Sequence, residues 1–88
     1  MNEDIEVRRR RAQWRAGHRG TKELDLLIGG FAEARLPDMA VADLDRFEQF
    51  LALTDPEIQG WLLGPEPGSA AGEFADVVTK IRTFHGLD

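Results

Sequence analysis

Within eight positions, "HRGTKELD" (18–25), the chain places an imidazole, a guanidinium, a glycine and two carboxylates: His18, Arg19, Gly20, Glu23 and Asp25. An imidazole and a carboxylate can move protons, and a guanidinium offers a planar fork for carboxylates or carbonyl groups. The common nucleophiles, a cysteine thiol or a serine hydroxyl, are missing beside them. There is no cysteine, and the one serine, Ser69, stands in a Pro/Gly-rich stretch without an evident partner. The two histidines, His18 and His85, lie at opposite ends of the chain, with no HExxH or Cys/His spacing, so no metal site is read. "IGGF" leads to no Lys-Ser/Thr and is not a phosphate loop. No residue is assigned a catalytic role. Two readings of the cluster remain. One is a capped helix start with an Arg19–Glu23 pair, worth about 0–1 kcal/mol when exposed. The other is a contact patch, with Arg11 and Arg15 at its periphery.

The elements that must position this cluster are helices. Apolar residues recur at 3.6-residue spacing, and β-branched and aromatic residues never alternate over a strand length. Five helices are predicted, at about 4–16, 21–35, 39–53, 55–63 and 73–85, forming a single helical domain over 1–88. The first has acid-before-base pairs Asp4/Arg8 and Glu6/Arg10 and a thin apolar face of Ile5, Val7 and Trp14. Gly17 and Gly20 bracket a break. Thr21 caps the second, whose stripe is Leu24, Leu27, Ile28 and Phe31, and Leu36-Pro37 ends it. The third buries Leu44, Phe47 and Leu51, with Val41 and Phe50 beside them. "TDPE" predicts Asp55 as N-cap, Pro56 at the first helical position and Glu57 in the first turn. The short fourth helix carries Ile58, Trp61 and Leu62 and stops at Gly64-Pro65; "GPEPGSAAG" reads as a loop. Phe74, Val77, Val78, Ile81 and Phe84 stripe the last. Trp61 and the phenylalanines are expected in the core. Short links imply antiparallel neighbours, hence an all-α five-helix bundle.

Eighty-eight residues allow one small domain, with a stability of about 5 kcal/mol. No cysteine means no need of an oxidising compartment. No apolar run approaches the roughly 20 residues that span a bilayer, and the acidic start "MNEDIEV" lacks the apolar core of a secretory signal. A cytoplasmic protein, monomeric when free, is expected. Charge is uneven: residues 1–22 carry +4 and residues 23–88 carry −9. "RRRR" (8–11) is either a solvated basic face or a nucleic-acid arm. The acidic remainder would repel phosphate, and Trp14 alone interleaves the arginines, so no nucleic-acid partner is expected.

Arg19-Gly20-Thr21-Lys22-Glu23-Leu24-Asp25 is a complete Arg-Gly-x-x-Glu-x-Asp motif. "HRGTKELDLLIGGFAE" resembles the SdhE family of succinate dehydrogenase flavinylation factors, also called succinate dehydrogenase assembly factor 2. "LDRFEQFLALTDPEIQGWLLG" (44–64) resembles the family's Phe-Glu-x-Leu-Leu, Asp-Pro-Asp/Glu, Trp and Gly series, and "RRRRAQW" its Arg-rich first helix. The resemblance covers residues 8–64 well and the last helix loosely. It implies a five-helix bundle that is not an enzyme and binds the flavoprotein subunit of succinate dehydrogenase, in some bacteria also that of fumarate reductase. There it promotes covalent attachment of FAD to a histidine of the partner. The FAD belongs to that partner, and no cofactor is held stably by this chain; no direct membrane contact is implied. His18, Arg19, Gly20, Glu23 and Asp25 then form the flavoprotein-binding patch. Arg19 offers its fork, Gly20 admits the partner's backbone, and Glu23 and Asp25 meet its basic or amide groups. Gly17 stands where close relatives often have a bulky residue, which predicts a loosened end of helix one. The alternatives are a regulatory, antitoxin-like protein- or nucleic-acid-binding module using the arginine run, and an enzyme using Glu23 and His18.

Overall fold

A computed structural model describes residues 4–65 and 68–87. Five α-helices follow one another: α1 (Ile5–Gly17), α2 (Lys22–Arg35), α3 (Val41–Leu51), α4 (Asp55–Leu62) and α5 (Ala75–Phe84), with 3-10 turns at Leu36–Asp38 and Gly68–Phe74. The all-α, five-helix class expected from the periodicity is what the chain adopts, with no strand among the described residues.

Asp4 starts α1 by accepting from the Glu6 N–H at 3.1 Å. The apolar face expected of this helix is used only in part: Ile5 packs against the core, but Trp14 is 63% exposed and Val7 is exposed, and Ala12 and Ala16 fill the buried positions. Small residues win because α2 packs backbone to backbone here. A Cβ built on Gly29 would lie 3.1 Å from the Gly17 Cα. The expected local ion pairs are also redirected. Arg8 reaches across to Asp45 and Glu48 of α3, and Glu6 pairs with Arg9. The hydrogen bonds that Arg8 donates, to Glu48 first and then to Asp45, hold its guanidinium still more firmly in its charged form. Tertiary partners outcompete i,i+4 neighbours on the same exposed helix, whose pairs are worth only a few tenths of a kcal/mol.

Helix α1 runs through Gly17 without loosening, and a Cβ there meets nothing within 4 Å. Gly17→Ala is therefore expected to raise stability by about 0.5–1 kcal/mol, by restricting the unfolded chain at a helical position. Urea titration checks this; a drop in the midpoint would contradict it.

Thr21 caps α2, accepting from Leu24 N at 3.1 Å. Leu24, Ile28, Phe31 and Ala32 are buried, with Leu27 half-buried. In α3, Leu44, Phe47, Phe50 and Leu51 are buried, but Val41 is 52% exposed because the first turn is left uncovered. Rings run through the core from Phe31 to Phe47, Phe50, Phe74 and the half-buried Trp61, with centroids 5.9–6.5 Å apart. Phe84 departs from the expected core. It stands at the rim, 38% exposed, with Arg35 over its ring and Phe31 against its edge.

At the start of α4 the cap falls one residue earlier than expected. Thr54 is the N-cap, with Glu57 accepting from its N–H at 3.4 Å, and Asp55 is the first helical residue. The loop expected over 64–72 lies partly outside the described residues, at 66–67; its later part joins the 3-10 turn Gly68–Phe74. That turn kinks at Gly72, whose φ of 61° and ψ of −121° suit glycine alone. Near the C-terminus, His85 bonds the Leu27 carbonyl through Nε2 at 2.7 Å, and Arg82 donates to the Leu62 and Leu87 carbonyls.

Candidate functional site: an Arg-Gly clasp beneath an exposed face

Three backbone segments meet at the turn between α1 and α2. Helix α3 ends at Leu51 with carbonyls that have no intrahelical donor, and α4 begins at Asp55 with a carboxylate that Thr54 has released from capping. Arg19 fits between them. Its Nε donates to Asp55 Oδ1 at 2.9 Å, Nη2 to the Leu53 carbonyl at 2.7 Å, and Nη1 to the Leu51 carbonyl. A guanidinium is suited to this place, because its planar donors face a carboxylate and the negative end of a helix together. The arginine side chain is only 10% exposed and its carboxylate partner 28%.

The adjoining residues complete the clasp. Gly20 donates its N–H to Asp55 Oδ2 at 2.8 Å. A Cβ on Gly20 would sit 2.5 Å from that same oxygen. Asp25, in the first turn of α2, accepts from the Arg19 N–H. Two carboxylates, Asp25 of α2 and Asp55 of α4, thus hold the turn at Arg19 and Gly20.

This corrects the outward orientation expected of the motif. Arg19 pairs with Asp55, not with Glu23, and its fork is filled by the protein's own groups. Gly20 lacks a side chain so that Asp55 can approach, and Asp25 is spent on the turn. The physical reason is that a guanidinium near an uncapped helix end and a spare carboxylate is better satisfied there than in water.

Two motif residues do face solvent. Glu23 is exposed, with no hydrogen bond or ion pair among the described residues. His18 is exposed and stacks on Trp14, with ring centroids 4.2 Å apart and planes 9° from parallel. Its Nδ1 lies 2.6 Å from the Trp14 carbonyl. A carbonyl only accepts, so Nδ1 carries the proton and the neutral ring keeps Nε2 as an acceptor. On α1, Arg11 is exposed and Arg15 half-buried, on either side of Trp14 in sequence.

Sequence reasoning missed Asp55 as a partner of Arg19, because "TDPE" reads as a helix start with Asp55 spent as its N-cap. It also missed Leu26, which lies off the Leu24–Ile28–Phe31 stripe and is 65% exposed. An apolar residue off the buried stripe was the available signal. A concavity of about 730 Å³ includes no motif residue. It opens between α2, α3 and α5 beside Phe31, Arg35, Met39, Asp43, Lys80 and Phe84. Charge there is largely internally matched, since the Lys80 ammonium is held charged by the hydrogen bond it donates to Asp76.

Fold and site first define a class: a small all-α protein in which an Arg-Gly turn is locked under a polar and aromatic face. The family described as "Flavinator of succinate dehydrogenase" (Sdh5) matches residues 10–85, and the chain belongs to it. An FAD assembly factor SdhE of Acetobacter pasteurianus is 46% identical over 65 residues, which is 74% of this chain and 60% of that protein. Another, from Coxiella burnetii, is 33% identical over 85 residues, covering 93% of this chain and 95% of the relative. The mitochondrial succinate dehydrogenase assembly factor 2 of Komagataella phaffii is 37% identical over 60 residues, 68% of this chain. The match spans 32% of that yeast protein. These relatives are named as assembly factors, and no helix of this chain is long and apolar enough to cross a membrane among the described residues.

Proposed function

We propose that this chain binds the flavoprotein subunit of succinate dehydrogenase and promotes the covalent attachment of FAD to it, acting as an assembly factor and not as an enzyme. The observation that carries the reading is the complete Arg19-Gly20-x-x-Glu23-x-Asp25 motif, folded so that its Arg, Gly and Asp build a rigid turn while Glu23 and His18 face outwards. Family membership supports the same reading.

In this account the five residues divide their work. Arg19, Gly20 and Asp25 fix the turn from within. Glu23 contributes an exposed carboxylate for a basic or amide group of the partner, and His18 a preset Nε2 acceptor. The reactive groups belong to FAD and the flavoprotein, with FAD supplying the carbon at which the bond forms. What this chain adds is orientation. Holding two reacting groups in a near-attack arrangement can contribute about 7–11 kcal/mol at the upper limit. A flavoprotein of fumarate reductase is a second client by the same chemistry.

The test uses the purified apo-flavoprotein, FAD and the full chain. Covalent flavin, read as fluorescence of the denatured flavoprotein band, should accumulate faster when the chain is present. Equal rates with and without it would overturn the proposal, as would turnover of a substrate by this chain alone.

A further inference from the structure

Among the described residues, the two most exposed large apolar side chains are Trp14 (63%) and Leu26 (65%). Each stands three residues before a glycine of the α1–α2 contact, Trp14 before Gly17 and Leu26 before Gly29. Spacing of i,i+3 puts each on the same side of its helix as that glycine. The glycines meet backbone to backbone, and a Cβ on Gly17 would point into open space. Two large apolar side chains therefore flank a floor that has none, which makes a shallow notch.

The notch is prepared on one side. The stack of His18 on Trp14, with the Nδ1 bond to the Trp14 carbonyl, restrains the indole before anything binds. A restrained aromatic loses little freedom on docking, and tryptophan is enriched among residues that dominate interface energies. The rim is basic: Arg10, Arg11 and Arg15 neighbour Trp14 on α1, and Lys22 precedes Leu26 by one turn of α2. Glu23 stands beside them on α2, and Glu6 and Glu33 lie next to Arg10 on its far side.

We propose that this notch receives a short acidic segment of the flavoprotein subunit bearing one or two large apolar side chains. The proposal rests on the docking role given to this chain above. Charge selects this occupant over the others. A second copy would bring two basic rims face to face, since a twofold contact opposes the same patch on both subunits. Nucleic acid would need aromatic side chains interleaved along the basic row, and Trp14 alone stands among these arginines. A membrane surface would find two apolar side chains separated by a bare backbone floor, too little to hold a helix in the interface.

The experiment measures binding of the full chain to the apo-flavoprotein by titration calorimetry, with Trp14→Ala, Leu26→Ala and Arg15→Glu. Circular dichroism and melting confirm that each variant is folded. Trp14→Ala and Leu26→Ala should each weaken Kd by about tenfold or more. Arg15→Glu should slow association and flatten its salt dependence. At saturating concentrations of either apolar variant, FAD attachment should return to the wild-type rate, because the notch anchors the partner and does not touch the flavin. Affinity within about twofold of wild type for both apolar variants overturns the notch. So does a loss confined to phosphatidylglycerol vesicles, single-stranded RNA or self-association while flavoprotein affinity stays intact. If the wild-type chain does not bind the flavoprotein, the docking role falls and takes the notch with it. If the wild type binds and accelerates attachment while both apolar variants match it, only the notch falls.

Discussion

Arg19→Ala is expected to lower the unfolding free energy by about 2–4 kcal/mol, enough to remove much of the stability of an 88-residue domain. The side chain carries three hydrogen bonds that no neighbour can replace, to Asp55, Leu53 and Leu51. Its removal leaves a carboxylate only 28% exposed without its cation, and two carbonyls near the end of α3 without a donor. Leaving such groups unpaired costs about 1–3 kcal/mol each when they are buried, and partial exposure lowers the total. The melting temperature should fall by about 10–25 °C at the usual exchange between free energy and temperature for a domain of this size. Asp55→Ala removes the same pair from its more exposed side and should cost somewhat less. Asp55→Asn, which can still accept from Gly20 N–H, should be milder still. A melt of Arg19→Ala within about 2 °C of wild type would show that the clasp does not hold the turn.

Glu23→Ala is expected to do the opposite: leave the fold alone and cut function. Glu23 is exposed and unpaired among the described residues. Its one local contribution is a negative charge in the first turn of α2, worth about 0.3–1 kcal/mol. Thermal stability should therefore change by no more than a few degrees, whereas the rate of FAD attachment should fall by about tenfold or more if Glu23 meets the partner. Glu23→Gln keeps the shape and tests the charge. Temperature separates the two kinds of defect. Cooling Arg19→Ala to where it is fully folded should restore part of its activity, but cooling should not rescue Glu23→Ala. Normal attachment by a folded Glu23→Ala protein would remove Glu23 from the docking surface.

Much of this was legible in the chain. The stripe Leu24–Ile28–Phe31, the Thr21 cap and the Leu36-Pro37 stop dictate α2 through local physics, and an i,i+3,i+4 pattern can satisfy only a helix. The motif itself, and with it the family, stood in consecutive residues. Partner choice over long sequence separations was not legible. Arg8 was expected to pair with Asp4 but reaches Asp45 and Glu48, and the cap of α4 expected at Asp55 falls at Thr54. Local spacing does not rank such options when each is worth less than about 1 kcal/mol.

Sequence alone determined that the chain is helical, where most of its apolar stripes lie, and that an Arg-Gly-x-x-Glu-x-Asp series opens the second helix. Only the tertiary structure decided which members of that series face inwards. Asp55 is 36 residues from Arg19, and it became a partner because the end of α3 and the start of α4 converge on the α1–α2 turn. Likewise, Trp14 is exposed because two glycines let α1 and α2 close against each other through small residues. Burial and pairing depend on what packing brings within a few ångströms, and no window of local sequence contains that information.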